Sequence, residues 1–291
     1  IEATFSPELE ALAVKSNATC RQVMDRLTRQ YDGYRFTKDE EFTSMYNPFS
    51  VLSALQKRSY GNYWFASGTP TFLVEMLQKT DFDLREMEGI EVNEASLSDD
   101  RADINNPIPM IYQSGYLTIK DYDERFRMYT LGFPNEEVKY GFLNFVSPFY
   151  TPIAQTDTSF YIGKFIRELE SGDVDAFLTR LRCFFAGIPY DLNDRTERHY
   201  QTVFYLVFQL MGQFTETEVR SARGRADAVV KTPDYIYVFE FKLNDSAEAA
   251  LRQIDEKGYL LPYQADGRKV VKVGVAFEKE ERNIGEWVIG E

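Results

Sequence analysis

Histidine is almost absent from this chain of 291 residues, with His199 the single example. A His-rich metal site is thereby excluded, and a Ser-His-Asp triad would have to use this one residue. His199 lies in a helical run beside Arg198 and Tyr200, where a surface or packing role is expected. Cysteine is nearly as scarce. Cys20 and Cys183 are too few and too far apart for a disulfide framework or a zinc site, so reduced thiols in a cytoplasmic chain are the expectation. Long apolar runs are missing too. The longest, Thr202 to Met211, falls far short of a bilayer, and no signal-peptide pattern opens the chain, so no membrane partner is expected. Basic charge is in deficit, with 33 Lys and Arg against 46 Asp and Glu and a formal net charge of −13. That balance is not that of a general nucleic-acid binder, because phosphate affinity depends on clustered Lys and Arg. It leaves room for a local basic patch: Arg220, Arg223, Arg225, Lys231, Lys242 and Arg252 fall close together in sequence. The chain begins with Ile1 rather than Met, which suggests a fragment of a longer protein.

Two short strands near the C-terminus carry the chemistry. Arg225–Lys231 and Tyr235–Lys242 are β-branched and aromatic runs, and Thr232-Pro-Asp-Tyr235 between them is a turn signal, so a hairpin is expected. If the loop holds two or four residues, pairing is symmetric about the Pro233–Asp234 bond. Asp227 then faces Glu240 with Cβ atoms about 4.5–5.5 Å apart, and Lys242 points the same way as Glu240. Facing like charges are destabilising unless something cationic lies between them, and a divalent metal is the natural candidate. An odd-length loop would shift the register by one and remove the coincidence. The bland alternative is a solvated face. Against it, Val229, Ile236 and Val238 share the carboxylates' face while Ala228, Val230, Tyr237, Phe239 and Phe241 take the other. A strand apolar on both faces is usually covered on both, and carboxylates within it need a partner.

The rest of the chain reads as follows. Residues 1 to about 110 look helical, with Asn17 ahead of a run ending near Gln30. Asn47-Pro48 and Thr69-Pro70 look like caps followed by proline at the first helical position, opening helices at 48–57 and 70–79. The aromatic stretch Tyr60-Gly-Asn-Tyr-Trp-Phe65 is expected to pack in a core. From Pro107 a short helix to Gln113 leads to a strand Tyr116–Lys120, a turn Asp121–Glu124, a partner strand near Arg125–Leu131 and a helix from Asn135 to Tyr150. Together these resemble a small winged-helix-like hairpin module. Helices near 159–169 and 173–186 connect to the last segment. There, a helix at 194–211, strands near 216–221, 225–231 and 235–242, a helix near 246–257, a strand at 269–277 and a final one near 287–289 give an α-β-β-β-α-β order. The fold class is α/β in that domain and α+β overall, with expected domains 1–106, 107–190 and 191–291.

That order, with Asp on the second strand and Glu-x-Lys on the third, resembles the PD-(D/E)XK nuclease superfamily, a restriction-endonuclease-like fold. The match runs through Glu197-Arg-His-Tyr200, Gly224-Arg-Ala-Asp227, Phe239-Glu-Phe-Lys242 and Ala250-Leu-Arg-Gln253. Tyr31-Asp-Gly-Tyr-Arg-Phe36, Tyr46-Asn-Pro-Phe-Ser50, Asn62-Tyr-Trp-Phe65 and Gly68-Thr-Pro-Thr-Phe-Leu73 resemble the C-terminal part of the AAA-ATPase-like region fused to such domains in gut and oral bacteria. No Gly-x-x-x-x-Gly-Lys-Ser/Thr loop is present, so the resemblance puts the nucleotide-binding core upstream and no ATPase activity is expected of this chain. Ala226 stands where the family carries proline.

The resemblance implies that Asp227 and Glu240 are metal ligands for Mg²⁺ or Mn²⁺. It implies that Lys242 orients the attacking water or stabilises the transition state and that Gln253 braces the site. Glu197 would add a further carboxylate, although an acid in a first helical turn is also favoured by the helix dipole alone. Arg223, Arg225 and Arg252 would contact phosphates. Nucleic acid is the implied partner, DNA ahead of RNA, and a homo-oligomer fits the many nucleases of this fold that cut duplexes as dimers. The alternative is a non-catalytic binding or assembly module that keeps the nuclease fold as a scaffold.

Overall fold

A computed structural model describes residues 1–39, 43–65, 73, 76–77, 82–97, 106–151, 154, 157–188, 197–219, 227–243, 245–278, 280–281 and 283–290. Contacts divide the chain into two units, Ile1–Phe142 and Leu143–Glu291. The first begins with helices α1 (Ser6–Ser16), α2 (Cys20–Tyr31) and α3 (Pro48–Lys57). Buried Val23, Leu27 and Tyr31 recur every four residues along α2, an apolar stripe that packs on Leu12 and Leu55. Asn17 does not open α2. It closes α1 with φ 51°, and Thr19 caps α2 in a reciprocal capping box with Gln22, a device that contributes about 1 kcal/mol. Asn47 caps α3 as its sequence suggests. Of the helix expected at 70–79, the described residues Leu73, Met76 and Leu77 are helical and buried; Thr69 and Pro70 lie outside the described residues.

The helical expectation for residues 1–110 is overturned at Ile90–Asn93, which forms strand β1. After α4 (Ile108–Gln113), strands β2 (Thr118–Asp123) and β3 (Met128–Gly132) complete a sheet in the order β1-β3-β2, with both pairings antiparallel. The expected turn also shifts. Asp121 and Asp123 belong to β2, and the chain reverses over 124–127, where Arg127 adopts φ 53°. Trp64, Phe65, Tyr116 and Phe142 meet in edge-on ring contacts, so the aromatic stretch packs as expected. Helix α5 (Glu136–Val146) ends before the expected Tyr150. Ser147–Phe149 is a 3₁₀ turn containing Pro148, which has no N–H to continue the ladder.

The second unit holds α6 (Thr158–Glu170), α7 (Val174–Ala186) and α8 (Glu197–Met211), then strands β4 (Glu216–Val219), β5 (Ala228–Lys231) and β6 (Tyr235–Lys242). Helix α9 (Ala247–Glu256) crosses to β7 (Lys269–Glu278), and β8 (Asn283–Gly290) returns beside it. The five strands lie in the order β4-β5-β6-β7-β8, antiparallel except for the parallel pair β6–β7 that the α9 crossover permits. The final strand is longer than its expected 287–289. One face of β6 packs Ile236 and Val238 with Val229 and, from α9, Ile254. On the other, Phe239 meets Phe177 of α7 and Phe208 of α8, and the Tyr237 hydroxyl donates to the Leu169 carbonyl of α6 at 2.6 Å. The strand is covered on both faces, which explains its unbroken apolar run. Helix α8 buries Val203, Leu206, Val207 and Leu210, so the longest apolar run of the chain is a core helix. Among the described residues no helix is long and apolar enough to cross a membrane.

Candidate functional site

The hairpin fixes the site. Ala228 pairs with Phe239, Val229 with Val238, Val230 with Tyr237 and Lys231 with Ile236. Thr232 N–H donates to the Tyr235 carbonyl at 2.8 Å and the Thr232 hydroxyl accepts from Tyr235 N–H at 3.1 Å, clamping a two-residue loop at Pro233-Asp234. The loop is even, so one further step of the register sets Asp227 opposite Glu240. Asp227 lies just before β5, and its Oδ2 accepts the backbone N–H of Phe241 at 2.8 Å. That bond holds the carboxylate across the hairpin beside Glu240.

Glu240 is 3 % exposed. Its Oε1 accepts from the Lys242 ammonium at 3.1 Å and from the Gln253 side-chain amide, while the Gln253 carbonyl oxygen accepts from Lys242 in turn. The amide orientation follows from chemistry, because the nitrogen must face the carboxylate and the oxygen the ammonium. Among the described residues Glu240 Oε2 is buried without a full hydrogen bond, although the Asp227 backbone N–H approaches the carboxylate. An orphaned carboxylate oxygen in the interior is costly, and a cation at that point would satisfy it.

The electrostatics agree. Burial, followed by the Asp227 charge, pushes the Glu240 carboxyl up to about 7, against the pull of Lys242 and the nearby Asp227 backbone N–H. Burial also raises the Asp227 carboxyl, with the Phe241 N–H and the Lys242 ammonium acting the other way. Among the described residues no group of three or more Asp, Glu, His or Cys side chains is placed to hold a metal. The donor set is thus two facing carboxylates, one with an uncommitted oxygen. This suits Mg²⁺ or Mn²⁺, which are commonly held by one or two carboxylates together with water and substrate phosphate.

Asp227, Glu240, Lys242 and Gln253 therefore come together, from the hairpin and α9. Arg252 is exposed on α9, next to Gln253. Glu197 is the first residue of α8; its side chain and that of His199 lie outside the described ones, as do Arg223 and Arg225. The Phe241 N–H that holds Asp227 was not legible as a site group, since a backbone donor leaves no residue-type signal.

Residues 195–287, about a third of the chain, match the PD-(D/E)XK nuclease superfamily, and the mixed α/β arrangement of strands and carboxylates fits a domain of that type. Among curated proteins, an uncharacterised protein in the vnfD 5′ region of Azotobacter chroococcum mcd 1 is 31% identical over 298 residues. The alignment covers 99% of this chain and 55% of that relative, so the chain spans about half the relative's length. No solved structure matches. Charge is distributed accordingly. Residues 195–287 carry 14 Lys and Arg against 15 Asp and Glu, whereas residues 1–194 carry 19 against 30. The acidic excess lies almost wholly outside the matched segment.

Proposed function

We propose that residues 195–287 hydrolyse phosphodiester bonds of nucleic acid with a divalent metal. The observation that carries this reading is the orphaned, buried Oε2 of Glu240 opposite a second carboxylate, Asp227. A bound Mg²⁺ or Mn²⁺ would lower the pKa of a water and neutralise charge on the scissile phosphate. Asp227 and Glu240 hold that ion. Lys242, 23 % exposed, presents an ammonium to the water or to a phosphate oxygen as charge develops there. Gln253 keeps Glu240 and Lys242 in register from α9. In this reading Glu197 supplies a further carboxylate from the start of α8, and Arg223, Arg225 and Arg252 contact flanking phosphates. DNA is the preferred substrate. Residues 1–106 are read as the end of an ATPase-like region on the strength of the four sequence stretches that resemble one.

One observation favours the scaffold reading: Lys242, Gln253 and Glu240 Oε1 already satisfy one another, as a purely structural polar network would. The deciding experiment incubates labelled single-stranded and duplex DNA and RNA oligonucleotides with the chain and Mn²⁺. Cleavage that is abolished by EDTA and by Asp227→Asn supports hydrolysis at this site. No cleavage, or cleavage unchanged in the variant, overturns it.

A further inference from the structure

In the parallel register Gly274 of β7 pairs with Glu240 of β6. Residues in register on adjacent strands share a face of the sheet, so a side chain at 274 would project beside the Glu240 carboxylate, under α9. A Cβ built there would stand 2.2 Å from the Ala247 carbonyl oxygen, 2.9 Å from the Leu251 nitrogen and 3.2 Å from the Ala250 Cβ. The two nearest atoms are helix backbone, which no change of rotamer moves. Nor does a left-handed backbone angle call for glycine at this position, since Gly274 is not among the residues with positive φ. What calls for it is the closeness of the helix. Ala247 and Ala250 are completely buried on the contacting side of α9.

Gln253 follows one turn after Ala250, about 4.5 Å further along the helix axis. Its amide reaches Glu240 Oε1 and Lys242 Nζ. A Cβ at 274 requires α9 to withdraw by roughly 1 Å to reach tolerable contact distances, which would stretch both Gln253 bonds beyond the usual range of about 2.7–3.2 Å and weaken them.

We propose that Gly274 is a positioning residue for the Asp227–Glu240–Lys242 centre. Lacking a side chain, it lets α9 lie close enough for Gln253 to hold Glu240 Oε1 and Lys242 Nζ, which leaves Glu240 Oε2 turned toward the cation. The cation rests on the function proposed above; the placement of Gln253 does not.

The test uses the full chain with ¹⁵N-labelled glutamine, comparing wild type, Gly274→Ala, Gln253→Ala, the double variant and Gly285→Ala. Gly285 is a fair control because a Cβ there would meet Glu278 Cβ at 3.4 Å and the Ala276 carbonyl oxygen at 3.5 Å, which are ordinary contacts. Two quantities are read: the shift and solvent exchange of the Gln253 side-chain amide, and Mn²⁺ affinity. In Gly274→Ala the amide moves to a solvent-exposed shift with fast exchange. Its Mn²⁺ affinity falls about 10-fold or more, as expected for loss of an outer-shell partner. Gln253→Ala shows the same fall, and the double variant is no worse than either single, because both changes remove one interaction. Gly285→Ala behaves as wild type.

Should Gly274→Ala not fold, Ala250→Ser adds one atom at the same contact and gives a smaller change of the same sign. A folded Gly274→Ala, or failing that an Ala250→Ser, that keeps the amide signature overturns the proposal, as do additive losses in the double variant. A wild type that binds no Mn²⁺ removes the metal reading, and the amide measurement then decides the positioning role by itself.

Discussion

Among the described residues two glutamates are buried almost completely, Glu137 in the first unit and Glu240 in the second, at 1 % and 3 % exposure. In each, one carboxylate oxygen lacks a full hydrogen bond among the described residues, and burial pushes both carboxyls up. What surrounds them differs. Glu137 Oε1 accepts the Trp64 backbone N–H at 2.9 Å, with the Ser50 hydroxyl nearby, and among the described residues it forms no ion pair. It ties a loop to the start of α5. Glu240 faces a second carboxylate and carries an ammonium and an amide on its other oxygen. Burial and an orphaned oxygen therefore do not by themselves mark a reactive centre. The mark is a like charge held opposite, which raises the cost of the apo site and which a divalent ion relieves.

The contrast predicts different responses to substitution. The largest effect is expected at Lys242: Lys242→Ala lowers nucleic-acid hydrolysis at saturating Mn²⁺ by about 10²–10³-fold, the usual loss for one transition-state donor. Glu137→Ala leaves Mn²⁺ affinity unchanged but lowers the urea-unfolding free energy by about 2–4 kcal/mol, from a cavity and an unpaired N–H. Equal metal effects at 137 and 240 would dissolve the distinction between them.

Glu240→Gln sharpens it through pH. A carboxyl raised to about 7 in the folded chain contributes stability that is fully present below its ordinary value of 4.5 and is lost as pH rises through about 7. The variant should accordingly be more stable than wild type at pH 8, by at most about 3 kcal/mol, and indistinguishable at pH 4. Thermal unfolding across that range checks the sign. Because proton and metal compete for the carboxylate, Mn²⁺ affinity of the wild type should rise with pH through the same region. The smallest effect concerns Arg252: if it contacts a phosphate, Arg252→Ala reduces the salt slope of oligonucleotide binding by about 1.

The site was legible to the extent that it depends on side-chain type and strand period. Alternation along Tyr235–Lys242 gave the shared face of Glu240 and Lys242, while the turn signal at Pro233-Asp234 left the register open between even and odd loops until the Thr232–Tyr235 pair closed it. The same period reasoning missed β1, whose four residues Ile90–Asn93 alternate too briefly to stand out from the helical background and are fixed by pairing with β3. Asn17 misled because asparagine serves at both helix ends: it tolerates the left-handed conformation that closes α1 as readily as it caps. Glu137 carried no signal, since an acid in a first helical turn is common whether or not it is buried. Gly274 did carry one, a lone glycine inside a strand, but which neighbour it admits depends on the α9 crossover and is set in three dimensions.

The central claim is that Asp227 and Glu240 together hold a divalent cation, and the most direct measurement is Mn²⁺ titration calorimetry on the wild type and on Asp227→Ala/Glu240→Ala, with oligonucleotide phosphates present and absent. Saturable binding to the wild type that disappears in the double variant is the predicted result. No binding to the wild type under either condition, or binding that survives loss of both carboxylates, would contradict the claim.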